Sequence, residues 1–183
     1  MSEEMIVRHC SPTLAGLKTA NMFTCRYRDE DELRGDLRRL NASFGKKGLR
    51  AIPLRAEAGS ALVYIYRPKK LEKDLGSPVS NAILSEQGYG EGTASSRLSE
   101  LIRRLRKNEG FPHEIGLFLG YPPDDVRCFI CDRNRDCKCV GCWRAYNNEK
   151  QAEKTFALFK KCTDVYCRLY SQGSSLERLA VAV

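Results

Sequence analysis

The run Ala61-Leu62-Val63-Tyr64-Ile65-Tyr66 is apolar at every position, and Arg67-Pro68 closes it. Successive side chains of a strand point to opposite faces, so a strand apolar on both must be covered on both. The run therefore predicts a central strand with helices packed against its sheet. Leu49 to Leu54 forms the other arm of a hairpin, with Glu57-Ala58-Gly59-Ser60 near its turn.

The flanking sequence supplies the helices. Asp29 to Phe44 places Leu33, Leu37, Leu40 and Phe44 on one stripe, with acidic residues in the first turn and Gly45 and Gly48 at the end. Ser95 to Asn108 carries Leu98, Leu101, Ile102 and Leu105 at helical spacing, and Gly110 with Pro112 stops it. Ser11-Pro12 reads as a helix start running to about Lys18, followed by an extended stretch from Met22 to Tyr27. Residues 69–93 read as short helices and turns. Ile115 to Leu119 reads as a short apolar strand, Asp124 to Ile130 as a helix and Val140 to Tyr146 as a strand. Asn148 to Tyr170 reads as a long helix, and a last short helix begins at Ser175. The sum is an α/β chain of the α+β kind. It has a mixed β-sheet of about four to five short strands with helices packed on it, in one domain over residues 1–183. At that length a folded chain buries about 70% of its unfolded surface, enough for a core without staples.

No apolar run reaches the roughly 20 residues that span a bilayer. The acidic start Met1-Ser2-Glu3-Glu4-Met5 lacks the features of a signal peptide, so the expected compartment is the cytoplasm. The net charge of +8 is spread along the chain without a tail or a run of five.

Nine cysteines in such a compartment point to metal binding or redox chemistry rather than disulfides. Cys25 and Cys162 read as small core residues. The informative stretch is 128–142, where Cys128, Cys131, Cys137, Cys139 and Cys142 fall together. A Cys-x2-Cys unit brings two sulfurs within reach of one ion, and two such units make a tetrahedral S4 site for zinc or an iron–sulfur cluster. The seven residues between the pairs are fewer than in usual zinc fingers or ribbons. Nearby Arg127, Arg133, Arg135, Lys138 and Arg144 would favour thiolates and offset an anionic cluster. Cys137 would be a spare or exchange ligand. The plainer reading is reduced surface thiols without metal.

A second candidate joins Cys10 to His113 and Glu114. A thiol at a helix start has its pKa lowered by the dipole, and a histidine beside it could serve as base or fellow ligand. His113, following Pro112, is expected at a strand edge. His9 and Cys10 point oppositely if extended. The plainer reading is that His113 and Glu114 satisfy loop backbone groups. A third candidate is the basic helix with Arg97, Arg103, Arg104, Arg106 and Lys107. Its charges alternate with leucines as a solvated face requires, and nucleic acid is not the expected partner. Trp143 and Tyr146 read as core or rim aromatics.

The segments His9-Cys10-Ser11-Pro12-Thr13-Leu14-Ala15-Gly16-Leu17-Lys18, Tyr64-Ile65-Tyr66-Arg67-Pro68, Phe111-Pro112-His113-Glu114 with Ile115 to Pro122, and Gly141-Cys142-Trp143 together resemble an uncharacterised family of anaerobic bacteria, domain of unknown function 3793. The resemblance implies one intact domain and a cytoplasmic bacterial protein, and brings no activity with it. Cys128 and Cys131 depart from that family's pattern, whereas Cys137 and Gly141-x-Trp143 fit it. A four-cysteine site would then be peculiar to this chain, or absent. The function expected is a metal-binding or redox-associated protein. The alternatives are a small-molecule or cofactor-binding domain, with or without enzyme activity, around Cys10 and His113, and a nucleic-acid-binding accessory protein.

Overall fold

The computed structural model describes residues 1–107 and 110–183, and Asn108, the expected end of one helix, lies outside the described residues. The chain divides into two compact units, Met1–Lys69 with Lys161–Val183, and Lys70–Lys160. The class is α+β, with five strands among the described residues in a three-stranded and a two-stranded sheet, both antiparallel.

The first unit is built on strands β1 (Ala20–Arg26), β2 (Arg50–Glu57) and β3 (Ser60–Tyr66), in the order β1-β3-β2. The doubly apolar run is the middle strand, as its pattern demands. Phe23 faces Val63 across one ladder, and Ile52 faces Tyr64 across the other. Pro53 lies on β2, an edge strand, where its missing N–H costs no ladder bond, and the register shifts between Pro53 and Arg55. The β2–β3 turn is Ala58-Gly59, both with positive φ (48° and 75°), the pairing a tight hairpin needs to follow strand twist.

Helices α1 (Glu3–Leu14), α2 (Glu30–Gly45) and the single turn α9 (Leu176–Leu179) supply the other half of this core. Ile6, Cys10 and Leu14 of α1, Leu33, Leu37 and Phe44 of α2, and Leu176 and Leu179 of α9 bury with Phe23, Cys25, Val63 and Ile65. Asp29 caps α2 by accepting from the Glu32 amide at 2.8 Å.

Ser11-Pro12 does not start a helix. The side chain of Ser2 caps α1 by accepting from the Met5 amide, Glu3 and Glu4 occupy the first turn, and Pro12 sits near the helix end. Acidic residues behind a serine suit the positive end of a helix and fix the earlier start.

The second unit is helical apart from its small hairpin. It holds α3 (Pro68–Leu75, from Lys70 on), α4 (Pro78–Glu86), α5 (Ala94–Lys107), α6 (Ile115–Phe118), α7 (Pro123–Cys131), β4 (Cys139–Val140), β5 (Arg144–Ala145) and the first part of α8 (Glu149–Ser171). Leu98, Leu101 and Leu105 of α5 are buried as its periodicity requires. Ile115 to Leu119 is a helical turn rather than a strand. All its side chains are buried, so its apolarity reports enclosure and not strand alternation. Val140 to Tyr146 is likewise a reversal between two short strands, not one strand. Among the described residues no helix is long and apolar enough to cross a membrane.

Candidate functional site

Cys128 and Cys131 stand one helical step apart on the last turn of α7, while Cys139 begins β4 and Cys142 lies in the turn between β4 and β5. Both supports are held by Asp125, buried in the first turn of α7. Its Oδ1 accepts from the amides of Tyr146 (3.0 Å) and Asn147 (3.1 Å) and from Asn147 Nδ2 (3.0 Å), while Oδ2 accepts from Trp143 Nε1 (2.9 Å). One carboxylate thus ties the strand after the reversal to the helix before it.

Aromatic packing reinforces the same anchor. The Trp143 ring lies 5.2 Å from Tyr121 and 4.5 Å, edge-on, from Phe156. Gly141 permits this, because a Cβ there would fall 2.4 Å from the Phe156 ring. The loop between the pairs is held at both ends: Lys138 N donates to Ala145 O at 2.8 Å, and Arg144 donates to Arg133 O at 2.8 Å.

All nine cysteines are free, and the five of this stretch are exposed or half-buried. Among the described residues no three or more His, Cys, Asp or Glu side chains are grouped as metal ligands would be. Arg135 Nη1 approaches Cys128 Sγ at 3.9 Å, a basic neighbour of the kind the sequence foretells. Cys139 differs. Partial desolvation pushes its thiol up, and the carboxylates of Glu149 and Glu153, with Cys137 and Asp125, push the same way. The basic residues nearby in sequence do not favour a thiolate there.

Cys10 occupies another setting entirely. It lies within α1, not ahead of a helix start, and is fully buried in the first unit's core. Burial pushes its thiol well above the ordinary range, with Lys18 opposing only in part. The low-pKa thiol expected at this position is therefore not found. His113 and Glu114 belong to the second unit.

Those two neighbours have different roles. Glu114 is buried, accepts from Tyr89 Oη at 3.0 Å and pairs with Arg104 at 3.3 Å. Arg104 also donates to Gln87 O (2.7 Å) and Glu100 (2.8 Å), and lies 4.0 Å over the Tyr89 ring. This knot joins α5 to the loop before α6. Burial, with the Glu114 charge and hydrogen bond, pushes the Tyr89 phenol up. His113 precedes a helical turn rather than lying at a strand edge. Its ring stands 6.0 Å from Phe111 and 5.2 Å from Phe129. Burial first, then Arg133, lowers its pKa below the ordinary histidine value, so it is mainly neutral at pH 7.

His113, Gln87, Arg104, Phe111, Ile130 and Arg133 line an open cleft of about 580 Å³. Sequence reading selected His113 and Glu114 and missed Gln87 and Tyr89, while it placed Arg104 on a solvated basic face and Arg133 beside the cysteine cluster, since these residues lie far apart in the chain. It also missed Asp125, whose only signal was an acidic residue in a helix first turn. On α5 the cationic face is largely committed: Arg103 and Arg104 pair with Glu100, and Arg97 donates to Leu75 O.

The family described as Protein of unknown function (DUF3793) matches this chain over residues 6–180. The chain belongs to that family. The DUF3793 match takes in both compact units, so the sheet, the cysteine hairpin and the His113 cleft all fall within it. No curated protein and no solved structure matches this DUF3793 chain.

Proposed function

We propose that this protein is a cytoplasmic thiol protein that takes up a thiophilic metal, zinc or an iron–sulfur centre. Cys128, Cys131, Cys139 and Cys142 are the ligands and Cys137 the exchange ligand. The observation that carries this reading is the pairing of two Cys-x2-Cys units on supports tied through one buried carboxylate. The first pair is on α7 and the second on the hairpin, and Asp125 joins them. A thiolate set needs supports that bring pairs, not single residues, toward one ion.

The four sulfurs are not grouped in this structure, so on this reading metal uptake draws loop 132–138 closed and couples to local folding. Trp143, the sole tryptophan, adjoins Cys142 and is bonded to Asp125, so it reports that closure. Protein purified without oxygen is expected to carry about one zinc per chain, or iron with sulfide and a brown colour. Adding Zn²⁺ to the metal-free form is expected to change Trp143 fluorescence with a sharp endpoint at one equivalent. Cys128→Ser combined with Cys142→Ser should remove both the metal and the response. Protein that is folded, metal-free as isolated and indifferent to added Zn²⁺ and Fe²⁺ would overturn the reading.

A further inference from the structure

We infer that the His113 cleft of the second unit binds a small organic oxyanion that carries an aromatic ring. The first support is charge. Arg104 is offset by Glu100 and Glu114, whereas the Arg133 guanidinium makes no hydrogen bond or ion pair with any described residue. It lies close enough to His113 to lower that residue's pKa, so a cation with no partner among the described residues faces the cleft. A guanidinium with its donors free matches a carboxylate or phosphate in planar, two-point geometry.

The second support is apolar. Phe111 is 49% exposed beside the cleft, with the His113 ring 6.0 Å away and Phe129 beyond it. An exposed aromatic pair of this kind supplies a flat surface on which a ligand ring can stack. Gln87 adds a side-chain amide bonded to no described residue, a polar group that can orient the ligand. Glu114, the one carboxylate among the described lining residues, is already taken by Tyr89 and Arg104, which offsets its repulsion of an anion. A space of about 580 Å³ suits a molecule of the size of a substituted aryl acid or aryl phosphate. None of the five clustered cysteines lines the cleft, but Arg133 belongs to loop 132–138, so the titration is done on metal-free protein, where its outcome does not depend on the metal reading.

Isothermal titration calorimetry on the full chain tests it, with phenyl phosphate, benzoate, inorganic phosphate and benzyl alcohol as probes. At least one of the two aromatic anions should bind saturably at one per chain. Inorganic phosphate and benzyl alcohol should bind about tenfold more weakly, since each offers half of the contact. The stronger of phenyl phosphate and benzoate identifies the head group. Arg133→Ala should weaken binding by tenfold or more and Phe111→Ala by about tenfold. Both positions lie outside the buried core, and an unchanged Trp143 emission spectrum verifies the fold. Absence of saturable binding by either aromatic anion, or equal binding by wild type and Arg133→Ala, would overturn the inference.

Discussion

Asp125 shows how much one side chain determines here. Replacing it with alanine leaves the amides of Tyr146 and Asn147 and the indole N–H of Trp143 without their acceptor. Orphaned buried donors are expensive, so Asp125→Ala should destabilise the second unit by about 3 kcal/mol. Urea unfolding followed by Trp143 fluorescence measures the loss, and a red-shifted native spectrum should accompany it. Glu100 makes a pH-dependent contribution instead. Hydrogen bonds from Arg103, then Arg104, hold its carboxyl down at about 2. A folded-state pKa below the unfolded value stabilises at higher pH, and that stabilisation fades as pH falls through the folded value. Glu100→Gln should therefore cost about 1 kcal/mol at neutral pH, the modest figure expected for a solvent-reached pair. The gap to wild type should narrow steadily below about pH 4.5. A gap that stays constant down to about pH 3 would contradict the linkage.

At the scale of elements, the β2–β3 hairpin carries its own strain. Ala58 holds φ +48°, a region where a Cβ crowds the following carbonyl. Ala58→Gly should relieve about 1 kcal/mol of that crowding and lose about half to greater freedom in the unfolded chain. The net expectation is a small rise in thermal midpoint. Gly59→Ala should do the reverse, since φ is +75° and a Cβ would meet Tyr27 O at 3.3 Å. This hairpin, α2, α5 and α8 were legible because their patterns are local: a period, a cap or a turn pair. The misread elements failed for an equally physical reason. Ile115 to Leu119 is too short for a period to separate helix from strand, and burial alone makes it apolar. Ser11-Pro12 has the chemistry of a helix start, but the stronger signal lay nine residues earlier in Ser2-Glu3-Glu4. At the site, the Cys-x2-Cys pairs were visible as spacing. The Tyr89–Glu114–Arg104 knot was not, because its members are brought together only by the packing of α5 on the loop before α6.

At the scale of the whole molecule, the first unit is closed by the two ends of the chain, and Arg67 is where they meet. It follows the central strand, is 2% exposed, and pairs with no carboxylate among the described residues. Its Nε donates to Thr13 O (2.8 Å), its Nη1 to Lys47 O (3.1 Å), and its Nη2 to Leu14 O and Val181 O (both 2.8 Å). Val181 N in turn donates to Leu14 O at 3.0 Å. A buried cation with no counter-charge among the described residues is tolerable because four carbonyl dipoles point at it, and they come from the end of α1, the turn after α2 and the segment that follows α9. Arg67→Met keeps much of the apolar stem but strands those carbonyls, and should cost about 3 kcal/mol. Deleting residues 181–183 removes one acceptor and the Val181 amide, and should cost about 1–2 kcal/mol. The two changes act through the same contact, so their combination should cost less than the sum by about 1 kcal/mol. A double-mutant cycle in urea, read by far-UV circular dichroism, measures that difference. Strict additivity would mean that Arg67 and the chain end stabilise the first unit independently, and that the guanidinium is not the clasp between them.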